Sequence, residues 1–280
     1  MKCIFVSDLH GNQERYSNLF NIIEKEAPQA VFIGGDILPN AFTKKLKAFV
    51  VKTILEKIKK INKKVKTSFF IILGNDDPRS FEELFLNADK EKILHYVHNN
   101  TVKFHDYNIT GYSFVPPTPF RLKDWEKYDV SRFVDVGAIS PEEGTRTIDI
   151  PEDNKRYSTI SEDLEKLSKK SPPNNTIYLF HSPPYNTNLD LADIKDKKVD
   201  YAPVDIHIGS IAIERFIKKY KPFLTLHGHA HESVTLSGKW MQKIGKTYCF
   251  TAAHDGPELA LIRFDTNLLD SATRSLIKTF

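Results

Sequence analysis

Cysteine is almost absent from this chain, and both copies are placed for packing. Cys3 and Cys249, the only two in 280 residues, each sit inside an apolar, strand-like run. They read as reduced, buried thiols, which excludes a disulfide framework and a thiolate metal site. No apolar stretch approaches the length of a membrane-spanning helix, so no membrane partner is expected. The apolar run before Ser7 and Asp8 is too short for the core of a secretory leader, and a cytoplasmic address is expected. A dominant charge is lacking too: 40 Lys and Arg face 36 Asp and Glu, for a net charge of +4. That excess is too small to point to nucleic acid. With 40% hydrophobic and 27% charged residues, the chain is neither disordered nor collagen-like. Its length fits one large domain or two small ones. What it does have is ten histidines against those two cysteines.

The first 76 residues alternate apolar runs with helical patterns. Cys3 to Val6, Val31 to Ile33 and Phe69 to Leu73 are continuous apolar runs. Tyr16, Leu19, Phe20 and Ile23 recur at helical spacing in the first gap. Phe42, Leu46, Phe49, Val50, Ile54, Ile58 and Ile61 do so in the second. This predicts a βαβαβ unit with a parallel sheet covered on both faces. Ligands of such sheets bind beyond the carboxyl ends of the strands. The lysines of the second helix (44, 45, 47, 52, 57, 59 and 60) read as a solvated face before they read as a phosphate-binding patch.

From Phe81 to about Asn175 the pattern weakens. Residues 101–115 predict a strand pair, and Leu164 and Leu167 a short helix ending before Pro172. Residues 121–155 read as a long surface loop, with an excursion or lid over the sheet edge as the alternative. Later come apolar runs at Ile177 to Phe180 and Phe223 to Leu226, with a helix at Ile211 to Tyr220 between them. Short runs follow at Ser233 to Leu236, Thr247 to Thr251, Leu259 to Phe264 and Ser275 to Phe280. These predict a second, largely antiparallel sheet. The expected class is α/β: two mixed β-sheets packed as a sandwich with outer helices. With no repeat and no convincing linker, residues 1–280 are expected to form one domain.

The polar residues that end the apolar runs are Asp8, His10, Asp36, Asn75, His181, His229 and His231. This set of carboxylates, one amide oxygen and imidazoles suits Mn, Fe, Zn, Ni or Co. It exceeds what one tetrahedral ion takes, and fits two ions sharing a carboxylate at about 3.5–4 Å separation. Each member alone has a plainer account: Asp8 could be a helix N-cap, and a lone histidine a satisfied core residue. Jointly those accounts fail, because every one of these strand ends would carry a ligand-type residue by chance in a fold that directs such ends to one crevice.

The motifs resemble those of the calcineurin-like metallophosphoesterase family. Asp8-Leu9-His10-Gly11-Asn12, Gly34-Gly35-Asp36, Gly74-Asn75-Asp76-Asp77, His181-Ser182-Pro183-Pro184 and His227-Gly228-His229-Ala230-His231 match its five motifs in order. Pro117-Thr118-Pro119-Phe120, His207-Ile208-Gly209-Ser210 and Lys243 to Thr247 look like the Icc-related subgroup, named for a relative that hydrolyses cyclic AMP. The resemblance implies a four-layer αββα fold and two divalent metal ions, manganese favoured. Asp8, His10, Asp36 and His231 would hold the first. Asp36 would bridge to a second completed by Asn75, His181 and His229. The implied reaction is hydrolysis of a small phosphodiester or phosphomonoester by a hydroxide shared between the ions. Gly35 and Gly74 are read as sites of close backbone approach, Gly228 as a turn, and His227 as a residue that orients its neighbours.

One position departs from the family pattern: Asp76 stands where most members carry a histidine that assists the leaving group. A carboxylate cannot simply replace an imidazolium there. Asp76 is therefore only a weak catalytic candidate. His207 and His254 could supply the missing proton, though each reads first as structural or solvent-facing. His95, His98 and His105 receive no role. Two rivals follow: a non-catalytic scaffold on the same fold, and a nuclease. The intact ligand set argues against the first. The absence of Lys and Arg from Asp8–Asn12, Asp36–Asn40 and His227–His231 argues against the second. The oligomeric state is left open.

Overall fold

The computed structural model describes residues 1–39, 45–194, 198–199 and 201–278. Asn40, Phe42, Lys44, Thr279 and Phe280, which entered the readings above, lie outside the described residues.

In chain order the first half contains β1 (Lys2–Val6), α1 (Gln13–Glu26), β2 (Ala30–Gly34), α2 (Leu46–Phe49), α3 (Glu56–Lys64), β3 (Ser68–Ile72), α4 (Glu82–Lys90), β4 (His95–Tyr96), β5 (Thr101–Phe104) and β6 (Tyr107–Tyr112). The second half contains α5 (Glu152–Tyr157), α6 (Ile160–Ser168), β7 (Thr176–Phe180), β8 (Lys198–Val199), β9 (Ala202–Pro203), α7 (Ile211–Tyr220), β10 (Leu224–His227), α8 (Ser233–Ser237), β11 (Met241–Ile244), β12 (Thr247–Thr251), β13 (Leu259–Asp265) and β14 (Leu268–Ile277). No helix among the described residues is long and apolar enough to cross a membrane.

Two six-stranded sheets form, ordered β14-β13-β1-β2-β3-β4 and β11-β12-β10-β7-β6-β5. In the first, β1 to β4 run parallel and β13 pairs antiparallel with β1. The second was expected to be largely antiparallel, and it is not. Its centre is parallel, with β6, β7, β10 and β12 side by side. Only the edge strands β5 and β11 are antiparallel. The stretch Ser233 to Leu236, expected as a strand, is the short helix α8, which ends at Gly238 in a left-handed conformation (φ 68°). After that helical turn the chain runs back along the edge strand β11, and the β11–β12 hairpin then inserts β12 parallel to β10.

Each central strand divides its side chains between two cores, because successive residues face opposite sides of a sheet. Phe5, Phe32, Phe70, Leu179 and Leu226 fill the layer between the sheets. Val6, Ile33, Ile71 and Phe180 pack outward under the helices. The helix preceding β3 buries Leu46, Val50, Ile54, Ile58 and Ile61. A four-residue spacing drifts by about 40° per step on an ideal α-helix. The wider i→i+5 turns over Val50–Leu55, between α2 and α3, take up that drift and keep the stripe on the sheet.

Candidate metal centre

The seven polar residues at the strand ends gather at one edge of the sandwich. Asp8 and His10 follow β1, Asp36 follows β2, Asn75 follows β3, His181 follows β7, and His229 and His231 follow β10. The loops are laced together. Asp8 N–H donates to the Gly35 carbonyl (3.0 Å), His10 N–H to that of Asp36 (2.8 Å), and Gly228 N–H to that of His181 (2.9 Å). Four of the seven, Asp8, His10, Asp36 and His229, hold a positive φ between 45° and 71°. Left-handed backbone at residues other than glycine concentrates at functional sites, because the surroundings must over-determine it. Arg15 is one such restraint: its guanidinium donates to the Asp8 carbonyl (2.7 Å) and to the Gly256 and Pro257 carbonyls.

Ligand atoms of Asp8, His10, Asp36 and His231 lie within 4.8 Å of one another. His10 Nε2 faces His231 Nε2 at 3.1 Å, and His231 Nε2 is 3.3 Å from Asp8 Oδ1. Beside them, His181 Nε2 is 3.0 Å from Asn75 Oδ1 and 3.2 Å from Asp36 Oδ2. His229 donates its N–H to Asp8 Oδ1 (3.1 Å), and its ring lies edge-on to His181, centroids 5.3 Å apart. His181 Nδ1 is 2.8 Å from the Gly34 carbonyl, which can only accept. Nδ1 therefore carries the hydrogen, and in the neutral ring Nε2 keeps a lone pair for a metal.

The charges fit the same use. Burial pushes the Asp8 carboxyl up, but the hydrogen bond and charge of His231, with His181 and His10, hold it well below the usual range. Asp36 behaves likewise: burial opposes, and His181 and His10 lower it. Burial disfavours the charged forms of His181 and His231, yet the aspartates raise them to about 10 and about 9. His229 falls to about 3 through burial and the neighbouring His181. Packed carboxylates facing paired imidazole nitrogens call for positive charge between them, and a divalent ion fits that demand.

Glycines make the close packing possible. A Cβ on Gly35 would lie 2.6 Å from His181 Nδ1, and one on Gly74 would lie 2.5 Å from the Asp36 backbone nitrogen. Gly228 differs from its expected role. The left-handed turn belongs to His229, and Gly228 is required because a Cβ there would run into Ser7 Oγ and lie 2.7 Å from Asp8 Oδ2.

A cavity of about 300 Å³ opens beside this centre. Asp36, Asn75, Asp76, His229 and His231 form one wall; Pro116 to Phe120, Val136, Ile194 and His207 contribute to the rest. Asp76 donates its N–H to Asp36 Oδ1 (2.8 Å) and accepts from Asn75 Nδ2 (3.0 Å). Burial and the Asp36 charge raise its carboxyl to about 6.

Asp77, given no role from the sequence, is fully buried and accepts N–H bonds from Ile37, Leu38 and Gly74, tying the second and third loops together. Burial, with Asp36 nearby, pushes it up to about 7. Its place at the end of the Gly74-Asn75-Asp76-Asp77 motif was the sequence signal. His227 bridges Ser182 O (2.9 Å) and Thr225 Oγ1 (2.8 Å), and burial lowers it to about 4. His254 is paired with Glu258 (3.1 Å) and is not among the cavity residues.

A family model for calcineurin-like phosphoesterases matches residues 1–233. No curated protein matches the sequence. Among solved structures, the chain is similar to TT1561 of Thermus thermophilus at 15% identity and a TM-score of 0.58, covering 99% of each chain. It is also similar to a dimetal phosphatase from Danio rerio at 9% identity and a TM-score of 0.58, covering 100% of this chain and 99% of that one. At such identities the two structures speak for the fold.

Proposed function

The chain belongs to the calcineurin-like phosphoesterase family, and on that premise we propose that it is a dimetal phosphoesterase hydrolysing a small phosphodiester or phosphomonoester. The observation that carries this reading is the convergence of Asp8, His10, Asp36 and His231 within 4.8 Å, beside a cavity large enough for a small ester. Asp8, His10, Asp36 and His231 would hold one ion, and Asn75, His181 and His229 a second, with Asp36 between them. This mixed set of oxygen and imidazole donors suits Mn, Fe, Zn, Ni or Co, and the family resemblance favours manganese. Ions bound there would acidify a water near neutral pH and offset charge on the non-bridging phosphoryl oxygens.

The chain's own residues orient and exclude. Gly34 fixes the His181 ring, the Asp76 N–H fixes the Asp36 carboxylate, and Pro116–Phe120 give the cavity an apolar wall. Asp76 serves this reading as a positioning residue. The described lining residues include no Lys or Arg, while Asp76, Asp135, Asp205 and Glu232 face the cavity. Less repulsion then falls on a singly charged diester than on a dianionic monoester, and a nucleic-acid strand finds no cationic track. The Pro117–Phe120 and His207–Ser210 stretches support the Icc-related subgroup. Support for a single catalytic unit over 1–280 comes from β13, which lies beyond the family match yet pairs with β1.

The test is to purify the protein with Mn²⁺, count bound metal, and assay an activated phosphodiester, an activated monoester, a cyclic nucleotide and single-stranded DNA. Two ions per chain and turnover fastest on a diester are expected, with both occupancy and rate reduced at least tenfold in Asp36→Asn. Absence of metal together with absence of turnover would overturn the reading. An Asp36→Asn protein with full metal and full rate would remove Asp36 from its bridging role.

A further inference from the structure

The reading above leaves one chemical requirement unmet. When a P–O bond to an alcohol breaks, the departing oxygen must take a proton, and at the position after Asn75 the chain offers the carboxylate of Asp76. His207, outside every motif of the metal centre, lines the same cavity as that carboxylate. Its Nδ1 lies 2.8 Å from Oδ1 of Asp190. Asp190 is fully buried, and its oxygens accept the N–H groups of Asn186 (2.9 Å), Thr187 (2.8 Å) and Gly209 (3.3 Å). A carboxylate so engaged accepts, so the hydrogen of this contact belongs to Nδ1. The tautomer and the ring plane are thereby set, and the Tyr185 ring packs edge-to-face with it, centroids 5.8 Å apart. His207 N–H is held by Asp205 Oδ1 at 2.9 Å. Nε2, at the opposite corner of the ring, has no protein partner among the described residues, and His207 lines the cavity.

We propose that His207, aligned by Asp190, is the general acid that protonates the leaving oxygen. This inference rests on the phosphoesterase reading and adds the missing proton donor to it. As the oxygen of water bonds to phosphorus, the bond to the leaving group breaks and its electron pair passes to the leaving oxygen. With Nδ1–H held by Asp190, the acid is the ring in its doubly protonated imidazolium form; the leaving oxygen takes its Nε2 proton and departs as the alcohol. The neutral imidazole then regains a proton from solvent, which has received the one lost by water. Groups that face the ring and enter its pH response are Asp190 and Tyr185 from the segment after β7 and Asp205 from its own segment. The other titratable groups lining the same cavity are Asp36, Asp76, Asp135, Glu232, His229 and His231. His207 is the catalytic group; Asp190 positions it.

The experiment compares the manganese-loaded full chain on methyl 4-nitrophenyl phosphate, whose leaving group needs little help, and on methyl phenyl phosphate, whose leaving group needs a proton. In His207→Asn, kcat for the phenyl ester is expected to fall by about 10²- to 10³-fold and for the nitrophenyl ester by far less. KM and bound metal should be retained, and the basic limb of the kcat–pH profile lost. Asp190→Asn should reproduce the same asymmetry at smaller size. Equal losses on the two esters, or a basic limb that survives, would overturn the assignment. If His207→Asn does not fold, the wild-type enzyme still decides: a donated proton flattens the dependence of kcat on leaving-group acidity, and a steep dependence refutes the donor. Failure of the metal-loaded wild type to hydrolyse either ester would instead overturn the phosphoesterase reading itself.

Discussion

At the scale of single residues, the site depends on positions where a side chain is missing as much as on those where one is present. Gly74 lies where the loop after β3 crosses Asp36. A Cβ there would collide with Asp36 Oδ1 and come within 2.5 Å of the Asp36 nitrogen and 2.6 Å of His181 Nε2. Backbone cannot yield as a flexible side chain does, so Gly74→Ala must push Asp36 or His181 off their present positions. Overpacking of this kind costs about 1–3 kcal/mol. The larger effect should be on the metal, since both displaced groups belong to the candidate ligand set. Gly74→Ala is expected to retain less than about half the bound manganese of the wild type while remaining folded at room temperature. Metal analysis and thermal unfolding on the same sample check this, and unchanged occupancy would show that the close approach is not a constraint on the centre.

At the scale of elements, the segment between β6 and α6 lies largely at the surface over residues 130–155, as its composition suggests, but its first part does not. Lys123, Asp124, Trp125 and Glu126 are buried. Lys123 Nζ donates to Glu126 and to the Thr118 carbonyl (2.8 Å), and Thr118 returns N–H and O–H bonds to Glu126 at 2.8 and 2.6 Å. Trp125 Nε1 donates to the Asp77 carbonyl (2.8 Å), and Asp129 accepts from the first backbone N–H groups of α7. The network thus fixes the Pro116–Phe120 wall to the loop after β3. Burial raises the Glu126 carboxyl to about 7 against the opposing pull of Lys123. A carboxyl raised above its unfolded value gives stability that is present below about pH 4.5 and is lost as pH rises through about 7. Lys123→Met removes the opposing charge and should steepen that loss. It is expected to destabilise the fold by about 3–5 kcal/mol at pH 8 and by clearly less at pH 5.5, as read from denaturant unfolding. Equal losses at both pH values would mean that Glu126 is already protonated throughout.

What could be read in advance follows the same physical line. Strands buried on both faces, such as Val31 to Ile33, are continuous apolar runs, and their polar endings were visible as a set. The parallel β10–β12 pairing was hidden because the return strand β11 (Met241–Ile244) is no apolar run, while Ser233 to Leu236, with Val234 and Thr235, favours strand locally yet ends as a helix at the left-handed Gly238 cap. Lys123 and Glu126 satisfy each other in the interior, and no periodicity marks such a pair. Asp190 and His207 meet across an irregular loop, 17 residues apart in sequence, so geometry alone reveals them.

At the scale of the whole molecule, the candidate ligands come from loops on both sheets: Asp8, His10, Asp36 and Asn75 from one, and His181, His229 and His231 from the other. An ion held by residues of both must be released when the sheets part, so metal binding and unfolding are linked. A ligand at about 100 times its dissociation constant adds about 2.7 kcal/mol per site. Two such sites would add about 5 kcal/mol, and at about 2–4 °C per kcal/mol for a chain near this size the midpoint should rise by about 10–20 °C. The comparison is thermal unfolding of the chelated protein against the same protein with excess Mn²⁺. The shift should grow with manganese concentration as mass action requires and shrink by at least half in Asp36→Asn, where the carboxylate between the two sets of ligands is neutral. His207→Asn, which touches none of the candidate ligands, should keep the full shift. A midpoint that ignores manganese, or one that responds equally in Asp36→Asn, would separate the two sheets' loops from any common metal.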